Sequence, residues 1–243
     1  MTPFAGQLED DFTRTRWSLV RRLQSTRAAE AGVALTELAV RYGYPVYAYV
    51  RRCGHGPHAA EAITHAFLQQ AAADLRDDRN APASRFREWL LMRLNAFLSG
   101  DWMAETGDAP LPGMPAAEEL EERNCGEHES GESPEQAYRR SFALEILARS
   151  LGRLRAEAAD TGRLEMCELL ESFLAHDPLP GEYDELSGRL HVRPLALVLA
   201  LKRLRERFRE LVREELADTV ASAGDMAAEQ QEMLGALEPG AAP

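Results

Sequence analysis

The chain has 243 residues, room for one large domain or two small ones, and its 45% hydrophobic and 28% charged content is ordinary for a globular protein. No run of about eighteen apolar residues occurs, which argues against a helical membrane span and for no membrane partner. A formal net charge of −12 argues against a dedicated nucleic-acid-binding protein, but the charge is unevenly spread.

Residues 1–100 hold 13 Lys+Arg against 10 Asp+Glu, and residues 138–215 hold 14 of each. Residues 101–137 carry 11 acidic residues against Arg123 alone, and residues 216–243 carry five acids and no base. The acid therefore falls in a connector and a tail. Aromatic residues make up only 7%, Ala, Leu, Arg and Glu dominate, and no segment alternates in the manner of a strand, so the expectation is an all-α fold. The first residues, MTPFAGQLEDDFTRTRW, have no apolar signal core. Cys53, Cys125 and Cys167 lack CxxC spacing, as reduced thiols would. Both features fit a cytoplasmic protein.

In chain order, Leu35, Leu38 and Ala39 predict a helix over 28–42. A break at Gly43-Tyr44-Pro45 precedes a second apolar face in Val46, Tyr47, Tyr49 and Val50. Gly54, Gly56 and Pro57 punctuate the chain before a helix over 57–75 that buries Ala60, Ile63, Phe67 and Leu68. A fourth helix over 84–102 carries Phe86, Trp89, Leu90 and Leu94. These elements predict a first helical domain over 1–103. Residues 104–136, with four prolines, several glycines and the clusters Glu118-Glu119 and Glu121-Glu122, read as an acidic flexible linker, because their few apolar side chains do not offset the entropy of ordering them. Periodic apolar residues resume at Phe142, Ile146 and Leu151 and again at Leu164 to Phe173, giving a second domain over 137–220. An acidic tail over 221–243 has room for one short helix.

The second domain contains the most informative stretch, Glu182 to Arg213. Tyr183, Leu186 and Leu190 share a face, His191-Val192-Arg193 form a turn, and Pro194 opens a helix to about Ala217, the layout of a helix-turn-helix. A reading helix presents hydrogen-bonding side chains from its first turns. Here the run Leu195 to Leu201 offers none, and such a run around two turns leaves part of itself for another surface, with Leu195, Val198 and Leu199 as candidates for partner contact. Polar residues begin at Lys202. Arg203, Arg205 and Arg207 are candidates for phosphate, although Glu206, Glu210 and Glu214 stand at spacings that pair with them.

Enzymatic chemistry has no support in the pattern. Cys53, His55 and His58 lack a fourth metal ligand, Gly54-His55-Gly56 is too short for a phosphate loop, and the Glu-Glu pairs read as solvated charge. The expectation is no metal, no cofactor and no enzyme.

The words Thr15-Arg16-Trp17-Ser18-Leu19-Val20, Tyr42-Gly43-Tyr44-Pro45-Val46-Tyr47, Gly54-His55, Phe86-Arg87 and Tyr183-Asp184-Glu185-Leu186 occur in order ahead of a helix ending Glu214-Glu215-Leu216-Ala217-Asp218-Thr219-Val220. Together they resemble an extracytoplasmic-function-like RNA polymerase sigma factor of the planctomycete-type branch, over nearly the full chain. The resemblance implies region 2-like and region 4-like helical domains, with core RNA polymerase and promoter DNA as partners. It implies a polymerase-gripping helix at Glu61, Ile63, Thr64, His65 and Phe67, and DNA contact by Trp102, Arg193, Lys202, Arg203, Arg205 and Arg207.

Three surfaces depart from that pattern. The family's acidic positions in the gripping helix are Ala59, Ala62 and Ala66 here, with His65 in place of glutamine; alanine keeps the helix and removes ionic contacts. After Trp102, where the family carries cations, stand Glu105 and Asp108. In the reading helix only Arg193 stays polar, and His191 replaces the turn glycine. Two functions follow: an atypical sigma factor of transcription initiation, or a sigma-derived interaction or regulatory module that binds a protein through residues 194–201 without reading promoters.

Overall fold

The computed structural model describes residues 18–25, 27–76, 85–100, 111–127, 131–179, 181–220 and 223–237. They are helical, with no strand among the described residues and one isolated bridge between Arg85 and Val220. The all-α expectation holds. The helices are α1 (Ser18–Leu23), α2 (Ala28–Arg52), α3 (Pro57–Asp74), α4 (Phe86–Leu98), α5 (Ala117–Glu127), α6 (Pro134–Asp160), α7 (Leu164–Leu170), α8 (Glu182–Leu190), α9 (Pro194–Ala217) and α10 (Ala223–Leu237). They divide into one compact unit of residues 1–145 and 216–243 and another of 146–215. The division falls inside α6 and α9, away from the boundaries near 103 and 137 that the composition suggests.

In the first unit, α2 is one continuous helix with Pro45 inside it, where the sequence predicts a break. Proline removes one backbone hydrogen bond. The burial of Tyr42, Tyr44, Val46, Tyr47 and Val50 on this stretch offsets that loss. Tyr42 stacks on Phe142 at 6.0 Å and meets Phe86 edge-on at 5.1 Å, while Tyr49 meets Tyr138 at 6.5 Å. The start of α6 therefore belongs to this aromatic core. Phe86 and Trp89 are buried in the same core.

Residues 111–127 correct the flexible-linker expectation. Leu111, Ala117, Leu120 and Asn124 are buried, and α5 packs against α2 and α3. Of the acids that read as solvated charge, Glu118, Glu119 and Glu122 are exposed, whereas Glu121 is paired. Glu121 accepts from Arg51 Nε at 2.7 Å, from Arg51 Nη2 at 2.6 Å and from Tyr47 Oη at 2.7 Å. The Arg51 contact, foremost, holds the Glu121 carboxyl down at about 2. Arg123 lies over the Tyr44 ring at 3.8 Å and reaches Glu145 at 2.5 Å. Gly113 makes the approach feasible: its φ is +85°, and a Cβ there would come within 3.0 Å of Thr36 and Val40.

The acidic tail folds likewise. On α10, Glu229 is buried and takes Arg87 through both carboxylate oxygens, at 2.9 and 3.0 Å, while Glu232 accepts from Arg85 and Arg87, each at 2.6 Å. Thr219 O accepts from Phe86 N at 3.0 Å, bringing the end of the chain beside the start of α4.

The second unit packs Leu170, Phe173, Leu186, Leu197 and Leu201 into one cluster and Leu154, Cys167 and Leu211 into another. This core joins the second half of α6 with α7, α8 and α9.

Candidate functional site

Helix α8, a three-residue turn and α9 follow one another over the stretch where the sequence predicts helix, turn and helix. His191 takes φ 54°, ψ 35°, a left-handed conformation that turns the chain at some cost for a residue with a Cβ. Ser187 Oγ donates to Val192 O at 2.6 Å and holds the turn against α8. Arg193 O accepts from Ala196 N at 2.8 Å, and Pro194, which has no N–H to satisfy, opens α9.

The apolar run of α9 divides by face. Leu197 and Leu201 point into the unit's core, whereas Leu195, Val198 and Leu199 are 70%, 42% and 48% exposed. The three partner-contact candidates are thus at the surface, on the turns that a reading helix would present to base edges.

The cationic candidates separate into committed and open groups. Arg205 donates to Phe173 O from Nε and Nη2 at 3.0 and 2.7 Å, to His176 O at 2.5 Å and to Asp177 Oδ1 at 2.7 Å. It caps the carbonyls at the end of the α7 segment. Arg207 is bidentate to Glu157 at 2.7 and 2.8 Å and also reaches Glu210 and Glu214 at 3.0 and 3.2 Å. These contacts, Glu157 first, push its guanidinium pKa up and hold the Glu157 carboxyl below its ordinary value. Both arginines are engaged by groups of the fold and not held open to solvent. Arg193, Lys202 and Arg203 are exposed, with Lys202 only loosely paired to Glu206 at 4.0 Å. Trp102 lies outside the described residues.

Four of the five polymerase-contact candidates on α3 are turned into the fold. Ile63, Thr64, His65 and Phe67 are buried, and only Glu61 stays partly exposed. Thr64 Oγ1 donates back to Ala60 O at 2.7 Å, and Phe67 meets Phe97 edge-on at 5.6 Å. His65 Nδ1 accepts from Leu111 N at 2.9 Å, so the segment before α5 closes over this part of α3. Burial lowers the His65 pKa, against the smaller opposing effect of Glu61. A sequence read residue by residue carries no sign of that cover, because Leu111 stands alone among prolines, glycines and acids.

Among the described residues no three His, Cys, Asp or Glu side chains are grouped to hold a metal. No helix among them is long and apolar enough to cross a membrane. Burial pushes the Cys53 and Cys167 thiols up, away from the reactive thiolate. No family model, curated protein or solved structure matches the chain.

Proposed function

We propose that the chain is an atypical sigma-type protein of bacterial transcription initiation that joins core RNA polymerase and works there by protein contact. In this reading its helix-turn-helix docks on protein instead of reading bases. The observation that carries it is the exposure of Leu195, Val198 and Leu199 on the first two turns of α9, where a reading helix needs donors and acceptors. Water-exposed apolar side chains in that position gain free energy by meeting another apolar surface, and they offer no hydrogen bond to a base edge.

Co-elution of the purified chain with core RNA polymerase from the same organism at physiological salt tests the proposal. The wild type should co-elute, the double variant Leu195→Glu with Val198→Glu should lose at least about tenfold in affinity, and Lys202→Glu with Arg203→Glu should bind as the wild type does. Absence of co-elution by the folded wild type would remove polymerase as the partner. Equal binding by the Leu195→Glu, Val198→Glu variant would remove α9 as the docking surface.

A second reading, promoter contact, is favoured by Arg193, Lys202 and Arg203, which lie exposed along α9 and its turn. It predicts that Lys202→Glu with Arg203→Glu abolishes transcription in a reconstituted assay. It also predicts that promoter affinity falls steeply with salt, since each phosphate contact contributes nearly one power of salt concentration.

A further inference from the structure

The second unit has an open cleft of about 420 Å³ that the docking reading does not use; of its lining only Arg203 also serves the promoter reading. Its volume lies within the range of small-molecule sites, roughly 300–1,000 Å³. Leu154, Met166, Leu170 and Leu204 line the floor, and Ala196 and Ala200 form the α9 wall. Two alanines one turn apart leave space where larger side chains would fill it.

The rim is unbalanced in charge. It carries Arg163, Arg203 and Arg207 against Glu157 as the single carboxylate. Arg207 and Glu157 neutralise each other through their bidentate pair. Arg163 donates from Nε to Thr161 Oγ1 at 3.2 Å, a neutral acceptor, and its guanidinium is in no ion pair among the described residues. Arg203, exposed on α9, likewise has no ion-pair partner among the described residues. An apolar floor beneath two uncommitted guanidinium groups is complementary to a molecule with an apolar body and one anionic head.

We infer that this cleft binds an amphipathic carboxylate, a fatty acyl anion of roughly ten carbons, the size class that a cavity near the lower end of the ligand-site range admits. The chain lies over Leu154, Met166, Leu170 and Leu204, and Arg163 and Arg203 hold the carboxylate at the rim. The site is distinct from the docking surface proposed above. At roughly 100° per helical residue, Val198 points to the opposite side of α9 from Ala196 and Ala200.

Isothermal titration of the full chain with sodium decanoate, decanol and dodecylammonium chloride, each below its aggregation limit, tests the inference. Decanoate should bind saturably, one per chain, with decanol and dodecylammonium at least tenfold weaker. Arg163→Gln with Arg203→Gln should weaken decanoate at least tenfold and leave decanol unchanged. Ala200→Trp, which fills the cleft from its wall, should abolish binding of both, with far-UV circular dichroism confirming an intact helical fold. Val198→Glu, which disables only the docking surface, should bind decanoate as the wild type does, so the two proposals fail separately. The inference is overturned by absence of saturable decanoate binding, which would leave the cleft to a partner protein's helix. Equal affinity for decanol, or unchanged binding after Arg163→Gln with Arg203→Gln, overturns it as well.

Discussion

Arg87 and Glu229 are 4% and 1% exposed and meet away from water through two parallel hydrogen bonds. Desolvation works against the Arg87 charge, and the hydrogen bonds and fields of Glu229 and Glu232 outweigh it. Removing Glu229 leaves the buried Arg87 only the partly exposed Glu232, a loss of up to about 3–5 kcal/mol, whereas replacing both members of the buried pair by apolar side chains of similar volume is close to neutral. Glu229→Ala should therefore lower the urea midpoint far more than Glu232→Ala, whose carboxylate is partly in solvent and leaves Arg87 its bidentate partner. Arg87→Met combined with Glu229→Leu should recover most of the loss. If the double variant is as unstable as Glu229→Ala, the pair does not act as a unit and the account of how α10 is held is wrong. His191 makes the opposite case. Its left-handed backbone is better suited to glycine, and the strain relieved by His191→Gly, about 1–2 kcal/mol, exceeds the extra entropy glycine loses on folding, about 0.5–1 kcal/mol. A rise in thermal midpoint of about 1–3 °C is expected, read by circular dichroism. A fall would mean that the His191 ring contributes contacts beyond its backbone position.

At the scale of elements, α3, α4, α8 and α9 were legible because their apolar residues recur at helical spacing and glycine or proline marks their ends. Pro194 opening α9 and Gly56-Pro57 ahead of α3 are instances. Pro45 was misleading, since local propensity reports a lost hydrogen bond and not the aromatic burial that offsets it. Helix α5 was illegible for a related reason. Its apolar content is small, and part of what orders it is the pairing of Glu121 with Arg51 of α2, over a separation of 70 residues that no local pattern reveals. The candidate site divided along the same line. Which face of α9 was free followed from the excess of leucines over what a core could hold, but the engagement of Arg205 by backbone carbonyls is a tertiary fact. The docking of α5 also depends on Gly113. Gly113→Ala forces a β-carbon against Thr36 and Val40 and a side chain into positive φ, so hydrogen exchange should rise selectively across 111–127 while α8 and α9 keep their protection. Uniform loss of protection in both units would contradict a local role for this glycine.

At the scale of the whole molecule, the charge pattern reverses its apparent meaning. A sum of −12 suggests an acidic chain with solvated tails, yet Glu121, Glu229 and Glu232 are consumed in holding α5 and α10 to the first unit. Stability should then depend on pH in two windows. His65 accepts the Leu111 N–H only when neutral, and its folded pKa lies below the ordinary value of 6.5 because burial opposes the charge. Below 6.5 the unfolded chain takes up a proton that the folded chain resists, so this contribution is complete above that pH and declines as pH falls toward the depressed folded value. Glu121 has an ordinary value of 4.5 and about 2 in the fold, so its contribution is complete above 4.5 and is lost between there and about 2. Urea midpoints measured from pH 8 to pH 2 should show a shallow decline beginning near 6.5 and a steeper one below 4.5. His65→Asn places an amide oxygen near the position of Nδ1 and keeps an acceptor for Leu111 without a titrating group, so it should flatten the upper decline alone. Glu121→Gln should lower the midpoint at neutral pH and flatten the lower one. If His65→Asn leaves the upper decline unchanged, the proton is taken up elsewhere, and the closure of the 111–127 segment over α3 is not what senses it.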